Sequence, residues 1–315
     1  MSDKQQTTTK IANSFNYWID FNEHRISKLR YSILKRLSKK SLPLFFKGGD
    51  IISLDPIANG SYEADIKALI EHFANNGFDN FLLDIGANIG LSSCQSGIKF
   101  SEVHMFEPNP NCVSILKINS NIALRDTTYV IHEYGLGLDD EKLQLYVPYD
   151  NWGGAFVKSN ENEYDDELLS SKDGYGEFNA KNYDVVEVQI KSAAKVLKDL
   201  FENLASNGKT KGVIKVDAEG YEKFIVNTII SAKPKEIEFV VVFENWKNDV
   251  AINEYLGGNE KAVDLYKLES NRFKFKSAPR WLNSLINFLR GGFPIVLKHC
   301  AKKLSAGTYL LISKS

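Results

Sequence analysis

The chain is poor in cysteine, which limits the kinds of structure that it can form. Its 315 residues include only three cysteines, Cys94, Cys112 and Cys300. Three scattered cysteines are too few for a disulfide framework or a zinc cluster. We therefore expect free, buried thiols and a reducing compartment. The five histidines also lack the spacing of metal ligands, so we expect structural roles for them and no metal site of histidine and cysteine.

Excess charge and long apolar runs are absent as well. The formal net charge is -1, and bulk charge therefore gives no reason to expect nucleic acid as a partner. No apolar run approaches the roughly 20 residues that span a bilayer. The first ten residues, MSDKQQTTTK, lack the apolar core of a secretory signal. These features predict a cytoplasmic protein, while its 43% hydrophobic residues permit a sizeable core.

One segment does carry charge of a single sign. Residues 25–40, RISKLRYSILKRLSKK, contain basic residues and no acidic ones. The apolar residues that recur there at helical spacing are Ile26, Leu29, Ile33 and Leu37. We predict a basic amphipathic helix within an amino-terminal segment, 1–48, that precedes the main domain, 49–315. This helix either packs on the main domain or lies on anionic lipid. A second amphipathic helix is predicted at Trp281–Arg290.

The main domain alternates apolar strand-like runs with helical patterns. Buried strands are predicted at Phe81–Gly86, Val103–Pro108, Gly212–Asp217 and Ile237–Glu244, and further strands at Tyr129–Glu133, Leu143–Val147 and Val185–Ile190. A helix is expected over Ser61–Asn76 with Ser61 as its N-cap, and Phe273–Phe275 should pair with Thr308–Ile312 as closing antiparallel strands. This order predicts an α/β protein with a doubly wound, mostly parallel seven-stranded sheet. Insertions are expected at about 150–182 and 257–304.

A glycine turn follows the first buried strand, in the sequence Asp84–Gly90. Gly86 lets the backbone turn sharply and approach a ligand closely. The helix that follows presents free N–H groups suited to a carboxylate, and Asp84 can accept from an ammonium group. The methionine part of S-adenosylmethionine meets both demands. The alternative is a nicotinamide dinucleotide, but its site prefers G-x-G-x-x-G, and Asn88 stands where the second glycine would be.

The second strand ends in a carboxylate, Glu107, about twenty residues after the glycine turn, where such a group can bridge the two hydroxyls of a ribose. Pro108 stops the strand and directs the chain outward. The spacing in sequence between Glu107 and the glycine turn is the one expected when both belong to a single nucleoside-binding site.

A third group of polar residues surrounds the strand Gly212–Asp217. Lys215 and Asp217 are two residues apart and therefore share a face of the strand. Asp217 falls at the carboxyl end of the sheet, where open α/β folds bind ligands. Together with Glu219 and Glu222 it would favour a cation, a proton or a polar substrate. The other interpretation assigns Glu219 and Glu222 to the electrostatics of a helix start.

The motifs LDIGANIG, FEPNP, IKVDAEGYE and VVFENW, in this order, resemble the FkbM-type methyltransferases over roughly residues 50–250. The resemblance implies a class I, Rossmann-like methyltransferase fold, dependence on S-adenosylmethionine, and methylation of a hydroxyl, often on a sugar or natural product. The cofactor contacts that it implies are Asp84, Gly86, Ala87, Asn88, Gly90 and Glu107, with the adjoining Pro108, and Gly135 and Leu136 at the adenine.

For catalysis we predict Asp217 as the base that takes the hydroxyl proton, with Lys215 and Glu244 orienting it or the substrate. In an alternative, Asp217 binds magnesium together with Glu219, Glu244 and Asn245, although no spacing requires a metal. The sequence also leaves open a nicotinamide-dependent oxidoreductase, and a catalytically silent module that binds S-adenosylmethionine.

The substrate is expected to be a sugar or glycan, as in polysaccharide biosynthesis, and to be lipid-linked if the basic helix contacts a membrane. Besides Glu219 and Glu222, we place Asn151 and Trp152 at the substrate. They lie in a glycine-flanked segment that is either a simple turn or a lid whose indole stacks on a sugar ring.

Overall fold

A computed structural model of the protein describes residues 21–158, 162, 168, 179–272, 279–290, 292–300 and 302–313. Its α-helices are α1 (Phe21–Ser38), α2 (Ile51–Asn59), α3 (Ala64–Ala74), α4 (Leu91–Ser96), α5 (Pro110–Ala123), α6 (Ala193–Ser206), α7 (Glu222–Ala232), α8 (Ile252–Tyr255) and α9 (Arg280–Leu289). Its strands are β1 (Phe81–Ile85), β2 (Glu102–Phe106), β3 (Thr128–His132), β4 (Gly135–Gly137), β5 (Glu141–Pro148), β6 (Phe156–Val157), β7 (Tyr183–Ser192), β8 (Lys211–Val216), β9 (Glu238–Asn245), β10 (Val250–Ala251), β11 (Val263–Ser270), β12 (Ile295–His299), β13 (Lys303–Leu304) and β14 (Gly307–Ser313).

The central sheet is mostly parallel and has the strand order β12-β11-β14-β9-β8-β1-β2-β3. The five strands from β9 to β3 are parallel, and β14, β11 and β12 add antiparallel pairs at one side. All five residues of β1 are buried, as expected of a strand that is covered on both faces and therefore reads as a continuous apolar run. The predicted mostly parallel α/β fold is confirmed.

Helices cover both faces of this sheet, which is therefore doubly wound. Successive side chains of a strand point to opposite faces. Phe81, Leu83 and Ile85 of β1 pack in one core cluster with residues of α6 and α7. Leu82 packs in the other cluster, with residues of α3 and α5. The candidate site lies at the carboxyl ends of the parallel strands.

A second sheet has the strand order β4-β7-β5-β6. The predicted strands Leu143–Val147 and Val185–Ile190 lie within β5 and β7, but their assembly into a separate sheet was not predicted. Its inner residues Leu136, Leu145 and Ile190 join the core cluster that contains β1. After β6, most of the segment 150–182 that we predict to be a functional insertion lies outside the described residues.

The local start of α5 follows directly from its sequence. The side chain of Asn109 caps the helix by accepting a hydrogen bond from the backbone N–H of Asn111, at 3.0 Å. Pro110 occupies the first helical position, where a missing N–H costs nothing. This cap holds the chain in place immediately after Glu107.

Four predictions about the strands and helices need correction. Within the described residues the central sheet has eight strands and not seven, and β12 is an edge strand whose five residues are all exposed. β14 pairs antiparallel with β9 on one side and with β11 on the other, whereas the predicted partner, Phe273–Phe275, lies outside the described residues. Both β11 and β12 fall within 257–304, which we expected to be an insertion. The N-cap of α3 is Glu63, not Ser61.

The predicted amino-terminal helix is present as α1, and α9 matches the second predicted amphipathic helix. The apolar side chains of α1 are exposed: Leu29 by 63% and Ile33 by 52%. α1 nevertheless contacts α2 of the main domain, so packing on the main domain and lying on anionic lipid both stay predictions. Within the described ranges, no helix combines the length and apolar character needed to cross a membrane.

The core against α6 gives a stability prediction. Phe201 is fully buried and its ring stacks on Phe239, with 5.9 Å between ring centroids. We expect Phe201→Ala to lower the free energy of unfolding by about 3–5 kcal/mol, measured by urea denaturation, because it leaves a cavity between α6 and the sheet. The exposed Lys198→Ala on the same helix should change it by less than about 0.5 kcal/mol. A loss below about 1 kcal/mol for Phe201→Ala would contradict this packing.

Candidate active site

A cavity of about 610 Å³ opens at the carboxyl ends of the parallel strands. This is the edge at which open α/β sheets bind ligands. The predicted site residues that line it are Asp84, Gly86, Ala87, Asn88, Glu107, Pro108, Gly135, Leu136, Asn151, Trp152, Lys215, Asp217, Glu219 and Glu244. The fold thus brings most of the predicted cofactor, substrate and catalytic residues to one place, while their individual roles stay predictions.

The glycine turn after β1 is built around a close backbone approach. Gly86 has a φ of +85°, and a Cβ atom at this position would overlap the carbonyl oxygen of Asp217. The N–H groups of Gly86 and Ala87 both donate to the carbonyl of Phe106, each at 3.0 Å. The turn is therefore fixed between the ends of β2 and β8, and only glycine fits there.

Asp84 is buried at the end of β1 and lines the cavity. One oxygen, Oδ2, accepts a hydrogen bond from the hydroxyl of Ser93, whereas Oδ1 is buried and has no hydrogen-bond partner among the described residues. Burial raises the pKa of this carboxyl, and the nearby ammonium of Lys215 partly offsets the increase. A buried, unpartnered carboxylate oxygen suits an ammonium group such as that of a methionine moiety.

Glu107 is held by two backbone groups. Its Oε2 accepts from the N–H of Asn88 and its Oε1 from the N–H of Asn109, each at 2.8 Å. Burial raises the pKa of Glu107 to about 7, although these two hydrogen bonds act in the opposite direction. Each carboxylate oxygen keeps a second lone pair, so both oxygens remain able to accept from the hydroxyls of a ribose. These residues fit S-adenosylmethionine.

Lys215 and Asp217 form an ion pair on one face of β8, as their spacing predicts. Lys215 Nζ lies 2.8 Å from Asp217 Oδ2, and Lys215 is buried. Burial alone would lower the pKa of Lys215, but the carboxylates around it, chiefly Asp217 and Asp84, raise it well above its usual value. The ammonium form of Lys215 is therefore stabilised inside the cavity.

Two predicted site residues do not line the cavity. Glu222 is buried and accepts hydrogen bonds from the N–H groups of Ala218 and Gly220, at 3.1 and 2.9 Å. It therefore fixes the turn before α7, and its position does not support the predicted substrate contact. Gly90, with a φ of +86°, is the N-cap of α4 and contributes through the shape of the turn.

The segment with Asn151 and Trp152 is a short 3₁₀ turn between β5 and β6. The side-chain oxygen of Asn151 accepts from the N–H of Gly154 at 3.2 Å, which is the capping role that the simple-turn interpretation requires. Trp152 lines the cavity, and the ammonium of Lys47 lies 4.8 Å from the centroid of its ring. The indole is thus in place to meet a bound molecule.

Sequence reasoning missed part of the cavity wall. The unpredicted residues that line it include Ile51, Ile52, Tyr62, Glu63, Tyr221 and Trp246. Trp246 lies two residues beyond the predicted strand Ile237–Glu244 and Tyr221 four residues beyond Gly212–Asp217, so their positions past the strand ends were a usable signal. Glu63 gave no such signal, because it precedes a helix and because Asp217 and Glu244, which line the same cavity, are far from it in the sequence.

The described residues contain no group of three or more His, Cys, Asp or Glu side chains placed to hold a metal ion. The magnesium alternative therefore gains no support from the arrangement of Asp217, Glu219 and Glu244.

Residues 84–262 match the sequence profile of the methyltransferase FkbM domain. The match covers more than half of the chain. The chain belongs to the FkbM methyltransferase family. It is accordingly an S-adenosylmethionine-dependent methyltransferase, which favours this activity over the nicotinamide-dependent alternative.

Several solved structures are similar to this FkbM methyltransferase. An FkbM methyltransferase from Methylobacillus flagellatus KT is 12% identical, with 90% of this chain and 58% of that chain covered and a TM-score of 0.33. An O-methyltransferase from Bacillus cereus, in complex with S-adenosylhomocysteine, is 9% identical over 90% and 97% of the two chains, with a TM-score of 0.39. A protein from Klebsiella pneumoniae described as a possible O-methyltransferase is 9% identical over 90% of each chain, with a TM-score of 0.40. No curated protein matches the chain.

The glycine turn gives a binding prediction with a matched control. Gly77 also has a positive φ, +92°, but no atom lies within 4 Å of a Cβ built there. We expect Gly77→Ala to lose about 1–2 kcal/mol of stability from the left-handed backbone. Gly86→Ala should lose more, because its Cβ also overlaps the carbonyl oxygen of Asp217. Only Gly86→Ala should weaken S-adenosylmethionine binding, by at least about tenfold in calorimetry, because it displaces the end of β8. Equal affinities of the two variants would contradict a cofactor role for this turn.

Proposed function

We propose that this protein transfers a methyl group from S-adenosylmethionine to a hydroxyl group of a sugar or glycan. The observation that carries the proposal is the buried Lys215–Asp217 pair, which stands in the same cavity as the residues fitted to the cofactor. An ion pair with further carboxylates beside it offers hydrogen-bond acceptors to a hydroxyl-rich molecule. Trp152 and Trp246 add aromatic surface to the cavity, of the kind on which a sugar ring stacks.

The residues around the glycine turn hold the co-substrate in this proposal. Asp84 accepts from its ammonium group, the turn at Gly86 allows close backbone approach, and Glu107 accepts from the ribose hydroxyls. Gly135 and Leu136 lie at the adenine. When bound, S-adenosylmethionine supplies an electrophilic methyl carbon on a good leaving group. The protein's main contribution is then alignment of the acceptor oxygen, an effect that supplies about 7–11 kcal/mol in well-oriented reactions.

A hydroxyl is a weak nucleophile until its proton leaves. The cavity therefore needs a base as well as a binding surface, and a positioned base contributes roughly 10²–10⁴-fold to the rate. The Lys215–Asp217 pair orients the acceptor hydroxyl, and Glu244 completes the acidic side of the cavity. The alternative function is a silent module that binds S-adenosylmethionine without transferring its methyl group.

A panel of acceptors tests the proposed transfer. We expect S-adenosylhomocysteine to form with sugars or glycans that have free hydroxyls, and not with the same compounds after complete O-methylation, because no acceptor oxygen is left. The measurement is S-adenosylhomocysteine release, with mass spectrometry of the acceptor. Binding of S-adenosylmethionine in calorimetry without product from any acceptor would support the silent module. Product from amine or thiol acceptors alone would contradict O-methyl transfer.

We also propose that an anionic lipid surface is a partner of α1, which would suit a lipid-linked glycan acceptor. Residues 25–49 contain eight basic side chains and no acidic one. Ile26, Leu29 and Ile33 are exposed on the same helix. A helix that exposes apolar side chains among cations combines the two forces that bind anionic membranes, namely apolar insertion and attraction to the headgroups.

Sedimentation with vesicles tests this partner. We expect the protein to bind vesicles of phosphatidylcholine with phosphatidylserine at low salt, and less at high salt because salt screens the attraction. The double variant Leu29→Glu with Ile33→Glu should lose this binding. Ile98→Glu, which replaces a residue that is 63% exposed elsewhere, should keep it. No binding by the wild type at low salt rejects the proposal, and self-association of the wild type that the double variant lacks would assign α1 to a second copy instead.

A further inference from the structure

Glu63 has a backbone conformation that helix capping does not explain. It occupies the N-cap position of α3 with a φ of 41° and a ψ of 65°, in the left-handed region, yet its side chain makes no capping hydrogen bond. Its N–H donates to Asp55 Oδ2 at 3.1 Å, which holds the backbone in place. A left-handed backbone is unfavourable for a residue with a Cβ atom. Strain of this kind clusters at functional sites.

The side chain of Glu63 reaches the cavity that holds Asp217 and Glu244. Its Oε2 atom is buried and has no hydrogen-bond partner among the described residues. A buried polar atom without a partner is rare in native proteins and costs free energy. The carboxylate of Glu63 therefore stands at the cavity without the hydrogen bonds that would stabilise its charge.

The charges around Glu63 suit a base that works near neutral pH. The titratable groups that face it are Tyr62, Asp65, Lys215, Asp217 and Glu244, with Asp55 at its backbone. Burial, together with Asp217 and Glu244, raises the pKa of Glu63 to about 7, although Lys215 acts in the opposite direction. A base whose pKa lies near the working pH is deprotonated in a large fraction of the molecules and still has a high affinity for the proton.

Asp217 is less suited to this step than the sequence suggests. Its carboxylate is 2.8 Å from the buried ammonium of Lys215. A proton placed on Asp217 would remove the largest of the opposing charges that stabilise this ammonium, and only Asp84 and Glu63 would then compensate it. Asp217 is therefore better suited to remain ionised as the partner of Lys215 than to accept a proton.

We propose that Glu63 is the base that takes the proton of the acceptor hydroxyl, while the Lys215–Asp217 pair holds that hydroxyl in position. This inference rests on the proposed O-methyl transfer. The acceptor oxygen bonds to the methyl carbon as the methyl–sulfur bond breaks and its electron pair stays on sulfur. The hydroxyl proton passes to the carboxylate of Glu63 and is later released to solvent. The products are a methyl ether and S-adenosylhomocysteine.

The protonation of Glu63 can be tested without any acceptor. Because its pKa is higher in the folded state than the usual value of 4.5, the folded protein holds a proton that the unfolded chain releases between pH 4.5 and about 7. The contribution of Glu63 to stability therefore falls as pH rises through this window. We expect the unfolding temperature of Glu63→Gln, relative to the wild type, to rise by at least about 2 °C from pH 5 to pH 8.

The matched control is Glu71→Gln on the same helix, where Glu71 pairs with Lys67 at 2.8 Å. Its unfolding temperature should run parallel to that of the wild type over this range. A parallel curve for Glu63→Gln as well would show that Glu63 does not titrate near neutral pH, and would overturn the inference.

Kinetics then test the role itself. With an acceptor found in the panel, we expect the wild-type rate to rise with pH around an apparent pKa of about 7. Glu63→Gln should lose this rise and roughly 10²–10⁴-fold in kcat, with little change in affinity for S-adenosylmethionine. An active wild type together with a Glu63→Gln variant that keeps both rate and pH profile would overturn only the role of Glu63. A wild type that releases no S-adenosylhomocysteine would overturn O-methyl transfer first.

Discussion

A buried ammonium group determines how the acidic residues of this site are arranged. Lys215 lies within β8, and Asp217, Asp84 and Glu63 are among the groups that keep it charged there. A buried charge is tolerated only when opposite charges and hydrogen bonds compensate it. Carboxylates from the end of β1, the end of β8 and the start of α3 therefore meet around one atom. The shape and polarity of the cavity depend on that convergence.

The parts of this arrangement that local patterns encode were predictable. Strands buried on both faces appear in the sequence as unbroken apolar runs, and the glycine turn and the acid after β2 stand at fixed offsets from two such runs. Their position at the carboxyl edge of a parallel sheet then follows from the strand order alone. Asp84, Gly86 and Glu107 could for this reason be assigned to one crevice before the structure was known.

The rest depended on contacts between distant segments. The local pattern favoured Ser61 as the cap of α3, since serine is a better N-cap than glutamate. Only the folded chain shows that Glu63 takes this position and turns its side chain toward β8. Similarly, β12 begins with Ile295, Val296 and Leu297, which favour a strand, but only the folded chain shows that it lies exposed at the edge of the sheet. The spacing of Lys215 and Asp217 likewise suggested that their side chains share a face of the strand. Only the folded chain shows that they form an ion pair.

The wall of the cavity formed by Ile51, Ile52, Tyr62 and Glu63 lies before residue 84, where the match to the methyltransferase domain begins. The residues proposed to hold the co-substrate and the residues of this wall thus belong to separate stretches of chain. Changes in the wall would alter the lining of the cavity while leaving the sheet and its glycine turn intact. Within such an architecture, a protein can acquire a new acceptor by exchanging one short stretch ahead of an unchanged catalytic frame.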